Sequence, residues 1–155
     1  MRKLLISLIM VAALGATSAF AQSGYWAGVS AGYPGAKLHF GVENVFAGLD
    51  LRGNLGFGYI GSSLELGVSV LYGLELDTGM VPLDVYAGGG PTLGVTLGDD
   101  GGFLSALEAF AGAEYRLADL GLEQGGVFLE LGPRIQFTPD FKFVPVGRLG
   151  FNWHF

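Results

Sequence analysis

Eight stretches of this chain alternate apolar with polar or small residues at a period of two. Successive side chains of a strand point to opposite faces, so this period predicts strands with one apolar and one polar face. Tyr25–Tyr33 carries Tyr25, Ala27, Val29 and Ala31 against Gly28, Ser30 and Gly32. Ala36–Glu43 carries Leu38, Phe40 and Val42 against Lys37, His39 and Glu43. Phe46–Phe57 sets leucines 49, 51 and 55 against Asp50, Arg52 and Asn54, and Ser63–Leu74 sets Leu64, Leu66, Val68 and Val70 against Glu65, Gly67 and Ser69. Val81–Leu97, Phe103–Leu117, Gly126–Phe137 and Phe141–Phe155 repeat the scheme, with Asp84, Glu108, Glu114, Arg116, Glu130, Arg134 and Arg148 on their polar faces. Every charged residue within a segment falls on the polar side.

Turn-forming residues separate the segments: Pro34-Gly35, Glu43-Asn44, Gly58–Ser62, Asp77-Thr78-Gly79, Gly98–Gly102, Ala118–Glu123 and Thr138-Pro139-Asp140. The pattern predicts an all-β chain of consecutive hairpins. A turn around Pro139 brings Glu130 level with Arg148, and one around Gly121 brings Glu108 level with Arg134. Arg52 and Glu65 are expected to approach across the third hairpin. Pro91, Pro133 and Pro145 lie inside segments, where each removes a ladder hydrogen bond or marks a bulge. Gly88-Gly89-Gly90-Pro91 is a candidate kink in the fifth.

The two ends change the picture. Arg2 and Lys3 precede an apolar run, Leu4 to Leu14, too short to span a bilayer, and Ala19-Phe20-Ala21 has small-x-small spacing. These features predict a secretory signal peptide over 1–21, cut before Gln22, and a mature domain over 22–155. The mature part carries 14 acidic against 6 basic residues, a formal charge of −8 (6 − 14). That balance argues against nucleic acid as a partner. There is no cysteine, so disulfides, thiol nucleophiles and zinc–thiolate sites are excluded. Charged residues make up 14% of the chain, well under the roughly 25% of soluble domains, yet the mature part has no apolar run of transmembrane-helix length.

Composition alone leaves two orientations open. A soluble sandwich turns the apolar face inward; a membrane barrel turns it outward. The export signal, the aromatic ending and the even strand number select the barrel, with lipid outside and a polar lumen inside. The proposed strands match the roughly 9–11 tilted residues that cross a bilayer. An eight-stranded barrel has an interior just wide enough for side chains. The expected fold is therefore a transmembrane antiparallel up-and-down β-barrel with a lumen filled by Arg52, Glu65, Glu108, Glu114, Arg116, Glu130, Arg134 and Arg148. Tyr25, Phe46, Tyr115, Trp153 and Phe155 fall at one end, and Phe57, Phe137 and Phe143 at the other, as two interfacial girdles would.

The leader, the eight segments, Ala111-Gly112-Ala113-Glu114-Tyr115-Arg116-Leu117 and the ending Leu149-Gly150-Phe151-Asn152-Trp153-His154-Phe155 resemble the small eight-stranded outer-membrane barrels of the OmpA/OmpX and opacity-protein type. The resemblance implies residence in the bacterial outer membrane, contact with its lipids and a monomeric state. It also implies that Leu149, Phe151, Trp153 and Phe155 are read as an assembly signal by the barrel-insertion machinery, with periplasmic chaperones escorting the chain. Unlike larger relatives, the chain is expected to have no periplasmic domain after the barrel and only short surface loops.

Three motifs admit chemistry. Gly56-Phe57-Gly58-Tyr59-Ile60-Gly61 matches G-x-G-x-x-G, but a dinucleotide loop needs a following helix, and Ser62-Ser63-Leu64-Glu65-Leu66 alternates like a strand. His39 and His154 are the only histidines; both have lumen parity, and no serine lies within three residues of either. Asp99-Asp100 reads as a solvated turn or a weak calcium site. The expected function is a non-enzymatic, structural or envelope-maintaining barrel without cofactor or metal, its lumen closed. Two other readings are a soluble exported barrel that binds an apolar ligand, and a lipid-modifying outer-membrane enzyme.

Overall fold

A computed structural model describes residues 24–59, 62–76, 83–97 and 101–155. The leader 1–21, the turn Asp77-Thr78-Gly79, the start of the fifth segment at Val81 and the Asp99-Asp100 pair lie outside the described residues. The strands are β1 (Tyr25–Tyr33), β2 (Gly35–Phe46), β3 (Leu49–Gly58), β4 (Ser63–Leu74), β5 (Leu83–Thr96), β6 (Phe103–Arg116), β7 (Gly125–Thr138) and β8 (Lys142–His154). Each pairs antiparallel with its neighbours in sequence, and β8 returns to β1, so the sheet closes into an up-and-down barrel. Closure leaves no sheet edge around the wall. Following the register from Gly28 through His39, Asn54, Gly67, Thr92, Ala106, Gln136 and Lys142 returns to β1 level with position 38. That stagger of ten residues, 38 − 28, tilts the strands against the barrel axis.

The first boundary correction is at β2, which runs to Phe46 and does not turn at Glu43-Asn44. Asn44 adopts a positive φ of 52° inside a bulge between Val42 and Phe46. Its backbone N–H donates to Asp50 Oδ1 at 2.7 Å, and its own Oδ1 accepts the Gly48 N–H at 3.1 Å. The chain reverses at Ala47-Gly48, where φ is 50° and 80°, as a two-residue primed hairpin requires. Asn44 reads as a turn residue because it tolerates the left-handed region, and here that tolerance serves a bulge.

The prolines remove hydrogen bonds without moving the register. Pairing of β4 with β5 lapses between Gly67–Thr92 and Val70–Gly89, beside Pro91, and resumes in step. Pairing of β6 with β7 lapses in the same way beside Pro133, between Glu108–Arg134 and Ala111–Leu131. Pro145 stands opposite Pro133, beyond the point where β1 ends at Tyr33 opposite Gly147. The glycine run before Pro91 does not break β5, whose pairing with β6 is continuous from Leu83 to Val95. A Cβ at Gly90 would run into the Val68 backbone. Close strand approach therefore accounts for that glycine.

Parity sorts the side chains across the wall. Leu51, Leu66, Val68, Leu129, Leu131 and Leu149 are exposed, Leu66 at 64%, while Leu49 and Phe151 are half-buried. Arg52, Glu65, Glu108, Arg134 and Arg148 are buried, none more than 5% exposed. This is the inverse of a soluble protein, in which charges are almost never buried and large apolar patches are rarely exposed. Phe46 and Phe155 are exposed at the end where β1 begins and β8 ends, and Phe57, Phe137 and Phe143 at the other. Among the described residues, no helix is long and apolar enough to cross a membrane.

Candidate functional site in the barrel lumen

All eight strands send polar side chains inward, and those of β2 to β8 form three tiers. In the tier farthest from the termini, Arg134 of β7 grips Glu65 of β4 with Nη1 and Nη2, at 2.8 and 3.0 Å. Ser63 donates to the same carboxylate at 2.8 Å. Glu108 of β6 then gathers three cations. Lys37 Nζ reaches both its oxygens at 2.9 and 2.8 Å, Arg148 Nη2 lies at 2.7 Å and Arg134 Nη1 at 3.3 Å. In the middle tier Arg52 of β3 donates to Glu130 of β7 at 2.6 and 3.4 Å, and the Tyr86 hydroxyl donates to Glu130 at 3.0 Å. The Phe110 ring lies under the guanidinium carbons of Arg52 and Arg148, at 4.8 and 5.6 Å, within cation–π range.

Four cations, Lys37, Arg52, Arg134 and Arg148, thus meet three carboxylates, Glu65, Glu108 and Glu130. Taking any of these charges out of water costs several kcal/mol per ion, and only paired, hydrogen-bonded geometry offsets it. The tier nearest the termini is different. Glu114 accepts from Asn152 and contacts His154 Nε2 at 2.7 Å. His154 Nδ1 faces Glu43 at 3.4 Å, and Arg116 Nε holds Asp84 at 2.9 Å. Arg116 and Asp84 are 34% and 62% exposed in their side chains, so this tier opens to water.

The hairpin registers place Glu130 opposite Arg148 and Glu108 opposite Arg134. The expected approach of Arg52 to Glu65 does not occur. Arg52 stands opposite Ser69, and Glu65 opposite Gly56; each finds its main partner across the lumen instead. Arg148 lies 3.7 Å from Glu130 through Nε but bonds Glu108 more closely. Arg116, expected in the lumen filling, sits at the rim. The sequence reading sets Lys37 and Tyr86 on the polar faces of their strands but leaves both out of the lumen charge network, which they join. It also missed the inward aromatics Phe110 and Phe128, which lie on the polar-face parity of their strands but are apolar themselves.

The remaining candidates are also located. His39 contacts Asn152 Oδ1 at 2.7 Å and packs edge-on against Phe128. Gly56 and Gly58 belong to β3, and Ser63 opens β4, a strand where a dinucleotide site needs a helix. Leu149 and Phe155 are exposed, and Phe151 packs beside Trp153 at 6.5 Å between ring centroids. The Phe155 N–H donates to the Tyr25 carbonyl at 2.8 Å, which extends the β8 to β1 seam past His154. A shallow concavity of about 1080 Å³ lies on the outer wall, lined by Leu38, Phe40, Leu55, Leu66, Val68 and Leu93 among others. Among the described residues, a cavity of about 630 Å³ lies in the lumen at the end where β1 begins and β8 ends.

No family model matches the chain, and no curated protein matches it. Two solved structures share its fold. A major outer membrane protein from Thermus thermophilus is 15% identical, with a TM-score of 0.64, over 86% of this chain and 100% of that one. The N-terminal β-barrel domain of Pseudomonas aeruginosa OprF is 13% identical, with a TM-score of 0.59, over 86% of this chain and 96% of that one. At these identities the likeness is one of fold, the eight-stranded barrel of outer-membrane proteins.

Proposed function

We propose that this chain is an integral barrel of the bacterial outer membrane, with a closed lumen and a structural role in the envelope. The observation that carries the reading is the inverted sorting of side chains across a closed wall. Exposed leucines form the outer band while four cations and three carboxylates pair inside. Only a solvent as apolar as lipid makes that arrangement stable, because in water the leucine band would drive aggregation. A soluble carrier of apolar ligands needs the opposite arrangement, a greasy interior.

The lumen reading follows from the two charge tiers. Salt-bridged side chains from β2, β3, β4, β6, β7 and β8 cross the barrel at mid-height. A solute would have to break several buried pairs to pass. The aromatic segment Phe151-Asn152-Trp153-His154-Phe155, exposed at Phe155, is the part of the wall that the insertion machinery would read. Two measurements test the proposal together: fractionation with heat-modifiable gel migration, and planar-bilayer recording. The expected result is an outer-membrane, heat-modifiable protein without steady conductance. Recovery in the soluble periplasmic fraction would overturn the membrane reading, and a stable open channel would overturn the closed lumen.

A further inference from the structure

One imidazole holds two acids at the seam where the barrel closes. His154 is the last residue of β8 and stands opposite Trp26 of β1. Its ring stacks on the Trp26 indole, with centroids 6.2 Å apart and planes 25° apart. Nε2 lies 2.7 Å from Glu114 Oε1 of β6, and Nδ1 lies 3.4 Å from Glu43 Oε1 of β2. In the closed order, β2 and β6 are each two strands away from β8, on opposite sides. The ring therefore bridges strands that share no ladder.

The chemistry of the contacts fixes the charge of the ring. An ionised carboxylate only accepts, and a neutral imidazole has one N–H and one bare lone pair. Donors occupy both oxygens of Glu114: Asn152 Nδ2 on Oε2, and His154 Nε2 with Arg116 Nε, the latter at 3.4 Å, on Oε1. Glu43 has a side chain 39% exposed and is ionised at neutral pH. A neutral ring would set its lone pair against one of the two acids. Only the imidazolium donates to both.

Among the described residues, the charges facing the ring are Glu43 on β2 and Glu114 and Arg116 on β6. β1 presents the uncharged Trp26, and the link into β7 presents the Gln124 carbonyl, which accepts the His154 N–H at 2.8 Å. Arg116 is drawn toward Asp84 of β5, at 2.9 Å. Asp50 of β3 accepts the Asn44 N–H, and Glu75 is exposed past β4.

We propose that His154 is a proton-operated latch on the barrel seam: as imidazolium it ties the end of β8 to β2 and β6, and loss of its proton frees that end. The latch guards two backbone bonds, His154 N–H to Gln124 and Phe155 N–H to Tyr25, both 2.8 Å. These hold the aromatic ending in the wall after closure. Histidine is the side chain that ordinarily changes charge between about pH 5 and 8, so the latch works within reach of ordinary pH. The inference rests on the fold and not on the envelope role proposed above.

The chain has two histidines, so ring-nitrogen NMR of histidine-labelled barrel, folded in neutral detergent, resolves each. The signals lost in His154→Gln identify His154. The expected result is a doubly protonated His154 ring at neutral pH. As the pH rises and the ring loses its proton, the exchange protection of the Phe155 amide should fall about tenfold or more, the worth of a charged hydrogen bond. In His154→Gln that protection should be low throughout. Glu43→Gln should let the ring lose its proton at lower pH. A neutral ring at neutral pH, deprotonation without loss of protection, or a ring that stays charged until the whole barrel unfolds would each overturn the latch. If His154→Gln does not fold, Glu43→Gln, at a half-exposed side chain, carries the comparison, and an unmoved titration there would equally overturn it.

Discussion

Removing Arg52 should unbalance the barrel more than any single outward substitution to alanine. Arg52→Met keeps most of the aliphatic stem and its packing on Phe110 while deleting the guanidinium. Glu130, 1% exposed, then keeps only the Tyr86 hydroxyl at 3.0 Å and Arg148 Nε at 3.7 Å. Orphaning one member of a buried pair costs about 3–5 kcal/mol. The two residual contacts put this case near the lower bound, about 3 kcal/mol. Glu130→Met alone should cost a similar amount, because it leaves Arg52 buried without its carboxylate. The double replacement Arg52→Met with Glu130→Met removes both desolvation penalties and should return to within about 1 kcal/mol of the parent. The coupling energy, the double minus both singles, is then about 5 kcal/mol or more in magnitude. Urea unfolding in detergent, followed by heat-modifiable migration and tryptophan emission, gives each corner of the cycle. Additive single effects, or an Arg52→Met barrel as stable as the parent, would refute the claim that this pair is buried and mutually dependent.

Four further outcomes are expected. Glu108→Gln should be the most costly carboxylate change, since it orphans Lys37, Arg148 and part of Arg134 together; a smaller loss on unfolding than for Glu65→Gln would contradict the tiering. Leu66→Arg, on the outer wall, should cost about 2–4 kcal/mol for refolding into lipid, and a neutral result would mean that this face does not meet hydrocarbon. Gly48→Ala should cost about 1–2 kcal/mol, because φ there is 80°; an unchanged unfolding midpoint would place the hairpin elsewhere. Deleting Phe155 should lower outer-membrane levels far more than it lowers the stability of protein refolded in detergent. Equal levels of truncated and full-length chain would sink the assembly reading.

Much of this architecture is legible in one dimension because its cause is local. Alternating side-chain direction is a property of any extended backbone, so parity alone sends Arg52, Glu65, Glu108, Glu130, Arg134 and Arg148 to one face and the leucines to the other. A hairpin's register depends on its turn, so Pro139 and Gly121 suffice to set Glu130 level with Arg148 and Glu108 level with Arg134. The same local argument fails at β2, where two adjacent signals for positive φ compete. Asn44 reads as the stronger turn residue, but the Asp50 side chain holds it in a bulge and Ala47-Gly48 makes the reversal.

Partnership across the lumen has no such local cause. Arg52 and Glu130 are 78 residues apart, and Arg134 and Glu65 are 69 apart. They meet because eight tilted strands close with a stagger of ten, which sets β3 facing β7 and β4 facing β7 at particular heights. Parity places a charge inside but leaves its height around the barrel, and so its partner, undetermined. Strand parity by itself determined which side of the wall each position faces, even where Phe110 and Phe128 put an apolar side chain inward. Closure and shear, which exist only in three dimensions, decided which charges neutralise one another and why Phe110 lies among them.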